Sequence, residues 1–260
     1  CLKRLDIFKP KFVINASAYT NVDKAEEEQE TAYQINGHAL ENITKCITNN
    51  NGKLIHISTD FVFNGENSIA YKPNDAIDPI GVYGKSKVLG EKFVLRMKNN
   101  LVIRTSWLYS PFGRNFMKTM IRLHKDFSKK NIPLKVVSDQ ISCPTSTYSL
   151  SKLCWEIIVN NSHLNNESQV LHWSDSGVAS WYDFAFSIGE LGIKHGLLEK
   201  MADIIPIKSH EFPTAAKRPH FSLLDNSHSL SLLQKKPLHW REELSNNLKR
   251  LKLYQNKFDN

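Results

Sequence analysis

The chain has 260 residues, of which 41% are hydrophobic and 10% aromatic, and it carries a formal net charge of +8. Such a length and composition fit one large α/β domain, or a domain with a smaller lobe, and exclude a disordered chain. The basic residues are scattered among acidic ones, which argues against a nucleic-acid partner and suits a small anionic ligand. Without a signal-peptide pattern or an uncharged apolar run approaching the ~20 residues of a membrane span, we expect a cytoplasmic protein with no membrane contact.

Strand and helix patterns alternate along the first part of the chain. Apolar runs predict buried strands, and apolar residues at helical spacing predict the helices between them. The predicted elements are a strand at Phe12–Ala16, a helix from Glu30 to Thr48, a strand at Lys53–Ser58, a loop from Asn64 to Pro79, a helix from Tyr83 to Met97, a strand at Leu101–Thr105, a helix from Asn115 to Lys125 and a strand at Leu134–Ser138. This order predicts an α/β fold with a Rossmann-like, doubly wound parallel sheet, which binds ligands at the carboxyl ends of its strands.

The pattern loosens after Pro144. Helices near Tyr148–Val159 and Trp181–Leu191, a strand at Gln169–Trp173 and a last helix near Glu242–Leu253 indicate a smaller mixed lobe. We therefore expect a cofactor-binding and catalytic domain over residues 1–145 and a substrate-binding lobe over residues 146–260, with exchange of segments between them.

Tyr83 and Lys87 form a Y-x-x-x-K spacing at the start of a predicted helix. Residues four apart lie on one face of a helix, so the phenol and the ammonium are neighbours. A nearby cation lowers the pKa of a phenol and makes proton exchange with a carbonyl oxygen practical at neutral pH. Taken alone, this spacing favours an ordinary surface pair.

Thr59 changes that interpretation, because it ends the second strand ahead of Tyr83. Its hydroxyl can hydrogen-bond the same substrate oxygen that Tyr83 protonates, although a strand-end threonine can also simply cap the next turn. Thr59, Tyr83 and Lys87 together supply an orienting donor, a proton donor and a cation. That set suffices to reduce a ketone once a hydride donor is bound.

Motifs in a fixed order along most of the chain carry a family resemblance. They are Asn15–Thr20 with Val22–Glu26, Ser58–Phe63, Val82–Lys87 with Gly90–Lys92, Arg104–Trp107, Asn115–Phe116, Asp139–Gln140, Pro144–Thr145 and Lys217–Pro219. With these motifs the chain resembles the extended short-chain dehydrogenases, and within them it is similar to the dTDP-4-dehydrorhamnose reductase family. The resemblance implies an oxidoreductase that uses NADPH or NADH to reduce the 4-keto group of dTDP-4-dehydro-L-rhamnose. Its product, dTDP-L-rhamnose, would serve the biosynthesis of cell-surface polysaccharide such as O-antigen.

The resemblance also implies roles for individual residues. Tyr83 would donate the proton, Lys87 would hold the nicotinamide ribose and lower the pKa of Tyr83, and Thr59 would orient the keto sugar. Further contacts would come from Ala18, Tyr19 and Thr20 to the cofactor, and from Asp60 and Trp107 to the sugar nucleotide. Trp107 could equally be a core aromatic residue, and Arg104 on a buried strand is equally explained as the partner of a structural ion pair.

The sequence departs from this family at its front end. No G-x-x-G-x-x-G or G-x-G-x-x-G spacing occurs, although the family places such a phosphate-binding loop after its first strand. The chain begins with Cys1 and reaches a strand pattern at Phe12, so we expect the first βαβ unit to be missing and cofactor binding to be weak. Tyr19 stands where the family commonly has histidine. The resemblance also allows a Mg²⁺ ion and a homodimer, but the sequence assigns no metal ligands.

Two alternatives stay open beside an active reductase. Leu171-His172-Trp173-Ser174 also resembles the regulatory β subunit of methionine adenosyltransferase, a non-catalytic binding protein on the same fold. The Y-x-x-x-K helix does not separate the two, whereas Thr59 and the Arg104–Trp107 motif favour the reductase. The second alternative is an inactive fragment of the enzyme.

Overall fold

Four parallel strands form the central sheet of the computed structural model, which describes residues 2–160, 169–233 and 236–258. The strand order is β1-β2-β3-β8, and the bounds are Phe12–Asn15 for β1, Lys53–Thr59 for β2, Leu101–Thr105 for β3 and Gln169–His172 for β8. All five residues of β3 are buried, as expected for an inner parallel strand. The prediction of an α/β fold with a parallel sheet is confirmed, as are these four strands.

Helices connect the strands of this sheet. They are α1 (Leu2–Phe8), α2 (Val22–Glu27), α3 (Gln29–Tyr33), a π-helical turn (Gln34–His38), α4 (Ala39–Asn49), a short 3₁₀ helix (Asp60–Val62) and α5 (Val82–Leu95). Leu40 and Ile47 of α4 and Val94 of α5 pack with Leu54 and Val102 of the sheet into one apolar core. The predicted helix from Glu30 to Thr48 is thus present as α3, the π turn and α4, while α1 and α2 were not predicted.

Smaller sheets and five α-helices make up most of the remaining described residues. They are β4 (Leu108–Tyr109), α6 (Phe116–Lys130), β5 (Leu134–Val137), β6 (Ile141–Ser142), β7 (Thr145–Ser146), α7 (Thr147–Asn160), β9 (Ala179–Ser180), α8 (Trp181–Lys194), β10 (Ile204–Ile207), a 3₁₀ turn (Ser209–Glu211), α9 (Ser227–Leu233) and α10 (Trp240–Phe258). The strands pair two by two: β5 with β10, β4 with β7, and β6 with β9. The predicted helices and strands of this part are confirmed within a few residues at their ends.

The chain divides into two compact units that do not follow a single boundary near residue 145. The first unit comprises Cys1–Thr105, Lys152–Trp173 and Thr214–Lys235, and the second comprises Ser106–Ser151, Ser174–Pro213 and Lys236–Asn260. The predicted boundary departs from this division for two reasons. β8 returns to pair with β3 in the central sheet, whereas β5 pairs with β10 in the second unit.

Candidate active site

Helix α5 brings Tyr83 close to the end of β2. Its first amide, on Val82, donates to the Glu26 carboxylate at 2.9 Å, which satisfies one of the free N–H groups of the helix start. A Cβ on Gly84 would collide with the carbonyl oxygen of Phe61, so glycine permits the close approach of α5 to the 3₁₀ helix. The rings of Phe61 and Tyr83 consequently meet edge to face, 5.7 Å apart.

Thr59 lies at the carboxyl end of β2 and is buried. Its hydroxyl accepts from the Phe61 amide at 3.2 Å and donates to the Asp60 carboxylate at 3.1 Å, so it also caps the 3₁₀ helix. The Thr59 side chain is also near enough to the phenol of Tyr83 to affect its pKa. The structure therefore brings Thr59 and Tyr83 together, with Asp60 beside them.

Asp60 is buried rather than open to a ligand, with 2% of its surface exposed. Beside its bond to Thr59, its carboxylate accepts from the Ser222 hydroxyl at 2.5 Å. A contact of Asp60 with the sugar nucleotide stays a prediction. In the structure its carboxylate instead positions the Thr59 hydroxyl.

The pKa of Tyr83 moves opposite to the expected direction. Burial raises the pKa of Tyr83 to about 12, the hydrogen bond from Thr59 lowers it in part, and the negative charge of Asp60 raises it. Lys87 does not contribute to this shift, because its amine lies against His56 and Ile57 of β2, and its expected influence on Tyr83 stays a prediction. The phenol is therefore fully protonated at neutral pH, which is the state that a proton donor needs.

Lys87 is almost completely buried, with 1% of its surface exposed. Its Nζ donates to the Ile57 carbonyl oxygen at 2.7 Å and lies 3.3 Å from His56 Nε2. Burial lowers the pKa of Lys87 to about 8, although the charge of Glu91 acts in the opposite direction. Because this pKa is close to neutral pH, both the charged and the neutral form of the Lys87 amine are accessible there.

The loop after β1 holds the three residues predicted to bind the cofactor. Asn36 fixes its backbone, accepting from the Tyr19 amide at 2.8 Å and donating to the Tyr19 carbonyl at 3.0 Å. Asn36 also donates to the Ser86 hydroxyl of α5 at 3.0 Å, which ties the loop to the helix of Tyr83. Ala18 is half-buried and Thr20 is exposed. The loop follows a parallel strand, where this class of fold binds ligands, and its contacts with the cofactor stay a prediction.

The Tyr19 phenol points elsewhere, because it donates to the Glu28 carboxylate at 2.6 Å. That hydrogen bond raises the pKa of Tyr19 to about 12. Its ring packs against the same small apolar cluster (Ala25, Ala32, Val82) as Tyr83. A contact of Tyr19 with the cofactor stays a prediction.

Trp107 belongs to the second unit, where its ring stacks on that of Trp181 at 3.6 Å. Trp107 has a φ of 45°, a left-handed backbone conformation that is costly for a bulky residue. The Trp181 indole N–H donates to the Gln140 side-chain oxygen at 3.1 Å, which fixes the stack. Trp107 is half-buried, so both the ligand contact and the core interpretation keep a structural basis.

Arg104 forms a buried ion pair, as the structural interpretation of this residue expects. Its guanidinium donates to both carboxylate oxygens of Glu91, the shortest contact being 2.8 Å, and to the Pro73 carbonyl at 3.1 Å. Glu91 also accepts a hydrogen bond from the Ser58 hydroxyl, next to Thr59. The Arg104–Glu91 ion pair therefore helps to hold the end of β2 against α5.

The sequence reasoning overlooked His56, Glu91 and Trp181. A histidine inside the apolar strand Leu54-Ile55-His56-Ile57 and a glutamate on the helix that packs on the sheet are both polar residues at core positions. Because buried polar groups need partners, such positions signal a structural or functional contact. Trp181 offered no comparable signal, since a tryptophan at a helix start has many uses.

The described ranges contain neither a metal cluster nor a membrane-spanning helix. Within residues 2–160, 169–233 and 236–258, no group of three or more His, Cys, Asp or Glu side chains is arranged to hold a metal ion. No helix in the same residues has the length and apolar character needed to cross a membrane.

Comparison with known proteins identifies close relatives. The family model described as RmlD substrate binding domain matches residues 2–253. The dTDP-4-dehydrorhamnose reductase of Aggregatibacter actinomycetemcomitans is 36% identical over 247 residues, covering 93% of this chain and 82% of that protein. The spore coat polysaccharide biosynthesis protein SpsK of Bacillus subtilis is 36% identical over 238 residues, covering 91% of this chain and 78% of that protein.

Solved structures agree with these matches. The dTDP-4-dehydrorhamnose reductase of Clostridium acetobutylicum superposes with a TM-score of 0.86 at 36% identity, covering 96% of this chain and 84% of that one. The Bacillus anthracis enzyme of the same name, solved in complex with NADP, superposes with a TM-score of 0.81 at 33% identity, covering 95% of this chain and 83% of that one.

Proposed function

Because the chain belongs to the dTDP-4-dehydrorhamnose reductase family, we propose that it reduces the 4-keto group of dTDP-4-dehydro-L-rhamnose to give dTDP-L-rhamnose. The observation that carries this proposal is the proximity of Tyr83 to Thr59 at the carboxyl end of β2, with Lys87 one helical turn away. In this proposal the first unit is a Rossmann-like, doubly wound cofactor and catalytic domain, and the second is the substrate lobe. The product would enter the biosynthesis of cell-surface polysaccharide.

In this reaction the cofactor and the residues of this chain have separate roles. A bound NADPH or NADH supplies the hydride for the carbonyl carbon. The Thr59 hydroxyl would exchange its hydrogen bond to Asp60 for one to the carbonyl oxygen and so orient it, and Tyr83 would transfer its phenolic proton to that oxygen, which completes the alcohol. Lys87 would hold the nicotinamide ribose, and in its protonated form it would stabilise the phenolate that proton transfer leaves behind.

Each unit, taken by itself, offers residues for ligand binding in this proposal. In the first unit Ala18, Tyr19 and Thr20 line the cofactor, and Asp60 orients Thr59. In the second unit the stacked pair of Trp107 and Trp181 offers an aromatic surface for the sugar nucleotide, because aromatic faces pack well on planar bases and on the apolar faces of sugars.

The test is turnover of the purified chain with dTDP-4-dehydro-L-rhamnose. NADPH is supplied at millimolar concentration, so that weak cofactor binding does not hide the chemistry, and the product is identified by mass spectrometry. Tyr83→Phe removes the proton donor, and we expect kcat to fall by about 10²–10⁴-fold. Tyr33→Phe is the matched control, because Tyr33 packs against the same apolar cluster as Tyr83 and should leave kcat unchanged.

A second pair of variants tests the orienting hydroxyl. Thr59→Ser keeps the hydroxyl and should keep most of the activity, whereas Thr59→Val keeps the shape and should lose about tenfold in kcat/KM. Full turnover of Tyr83→Phe would contradict the assignment of the proton donor. Absence of turnover, together with retention of an adenosyltransferase in a pull-down, would instead support the non-catalytic binding protein.

A further inference from the structure

A chain of hydrogen bonds in the first unit leads from Ser17 through Asn15 and His56 to the amine of Lys87. The Ser17 hydroxyl and amide both donate to the side-chain oxygen of Asn15, at 2.6 and 3.3 Å. The side-chain nitrogen of Asn15 lies 3.0 Å from His56 Nδ1, and His56 Nε2 lies 3.3 Å from Lys87 Nζ. Asn15, His56 and Lys87 are all buried, and His56 and Lys87 have at most 1% of their surfaces exposed.

The direction of these bonds determines which nitrogen of His56 carries the proton. Since two donors from Ser17 fix the Asn15 oxygen, the Asn15 amide nitrogen must donate, and His56 Nδ1 must accept. A neutral imidazole with an accepting Nδ1 carries its proton on Nε2. Burial and the adjacent Lys87 keep the pKa of His56 well below its usual 6.5, so the ring is neutral. A donor N–H therefore faces the amine of Lys87.

An N–H group that faces Lys87 disfavours its ammonium form, because an ammonium has no lone pair to accept the hydrogen bond. The N–H can donate only to the neutral amine. The Ile57 carbonyl still takes one proton of Nζ, so the neutral amine can donate to Ile57 and accept from His56 at the same time. This geometry agrees with the lowered pKa of Lys87.

The other charged groups near α5 do not explain this effect. Glu91 on the same helix raises the pKa of Lys87, and its carboxylate is neutralised by Arg104 of β3. Asp60, on the 3₁₀ helix after β2, acts on Tyr83, and Glu26 of α2 accepts from the start of α5.

We propose that Asn15 and His56 are positioning residues that control the charge of Lys87 by presenting the Nε2–H tautomer of His56 to its amine. The kinetic consequence of this inference rests on the proposed function, whereas the tautomer and the titration of Lys87 do not. Asn15 and His56 touch no reacting atom. They hold Lys87 against β2 and bring its protonation into the range of neutral pH.

Replacement of Asn15 should reverse the polarity of this chain. In Asn15→Asp, a carboxylate takes the place of the donating amide nitrogen, so His56 Nδ1 becomes the donor and Nε2 becomes an acceptor for the Lys87 ammonium. This variant should raise the pKa of Lys87 by at least about one unit, a tenfold change in its protonation equilibrium. In His56→Gln, the Asn15 nitrogen holds the glutamine carbonyl, so an N–H group still faces Lys87 and its pKa should change much less.

The experiment is NMR on the whole chain, labelled with ¹³C at the lysine ε-carbons and ¹⁵N in the histidine rings. Lys87→Arg identifies the Lys87 signal by its loss. In the unmodified chain we expect His56 as the Nε2–H tautomer and a Lys87 midpoint clearly below those of the other lysines. His172→Gln is the matched control, because His172 is also a buried histidine of the central sheet, and it should leave the Lys87 midpoint in place.

An Nδ1–H tautomer in the unmodified chain would overturn the inference, and so would a Lys87 midpoint unchanged in Asn15→Asp. The tautomer is read without any variant, so a variant that fails to fold does not leave the question open. In active protein the basic limb of the kcat/KM profile should move upward with the Lys87 midpoint. Turnover without this coupled shift would remove the inference alone, whereas coupled titration without turnover would remove the proposed function alone.

Discussion

The buried ion pair of Arg104 and Glu91 leads to a quantitative prediction about stability. The two side chains have 4% and 2% of their surfaces exposed, so neither charge is solvated by water. Glu91→Gln leaves the guanidinium buried without a counter-charge, and we expect the free energy of unfolding to fall by about 3–5 kcal/mol. Arg104→Met leaves the carboxylate buried without a counter-charge instead, and its cost should be of the same order.

The double variant Arg104→Met with Glu91→Leu removes both charges and fills the space with apolar atoms. It leaves the Pro73 carbonyl and the Ser58 hydroxyl without these partners, which should cost about 1–2 kcal/mol in total. The double variant should therefore be more stable than Glu91→Gln by about 2 kcal/mol or more.

Denaturant unfolding followed by circular dichroism measures these differences as a double-mutant cycle. Lys45→Met serves as the control, because the Lys45–Glu41 pair on α4 is exposed and its loss should cost less than about 1 kcal/mol. Equal destabilisation of the single and double variants would refute the reasoning, since it would mean that the cost arises from lost packing rather than from an unpaired buried charge.

Three further predictions concern protonation and the cofactor. Burial raises the pKa of Asp175 from 3.8 to about 7; because the folded state holds this proton more tightly, Asp175 makes stability decline as the pH rises through that range. Asp175→Asn should abolish this decline and, above that pH range, raise the free energy of unfolding in denaturant by up to about 4 kcal/mol. An unchanged pH profile of stability would exclude Asp175 as the origin of the decline. Asp60→Asn removes the charge that raises the pKa of Tyr83. The ultraviolet titration of this tyrosine, identified by difference from Tyr83→Phe, should therefore shift to lower pH. A shift to higher pH would contradict the electrostatic argument. Fluorescence titration should show that NADPH binds weakly to this chain, since its 260 residues contain no glycine-rich phosphate loop, and micromolar affinity would contradict that expectation.

Local patterns were sufficient to predict most helices and strands and the order of the candidate site residues. The apolar runs at β2 and β3 predict buried strands by themselves, and the i, i+4 spacing of Tyr83 and Lys87 follows from helix geometry. Because parallel strands place their carboxyl ends at one edge, the sequence also predicted that Thr59 lies near Tyr83. These inferences depend only on residues close together in the chain or on general rules of α/β folds.

Only the tertiary structure decided which groups surround the candidate site residues, and so their charges. Lys87 contacts His56, 31 residues away, and Asp60 contacts Ser222, 162 residues away. Desolvation, which raises the pKa of Tyr83 and lowers that of Lys87, depends on how tightly these distant segments cover the side chains. The sequence by itself thus determined the fold class, the family and the set of reactive groups. The packing of β2 against α5 decided their hydrogen bonds and protonation states, because burial and contact are properties of the folded chain.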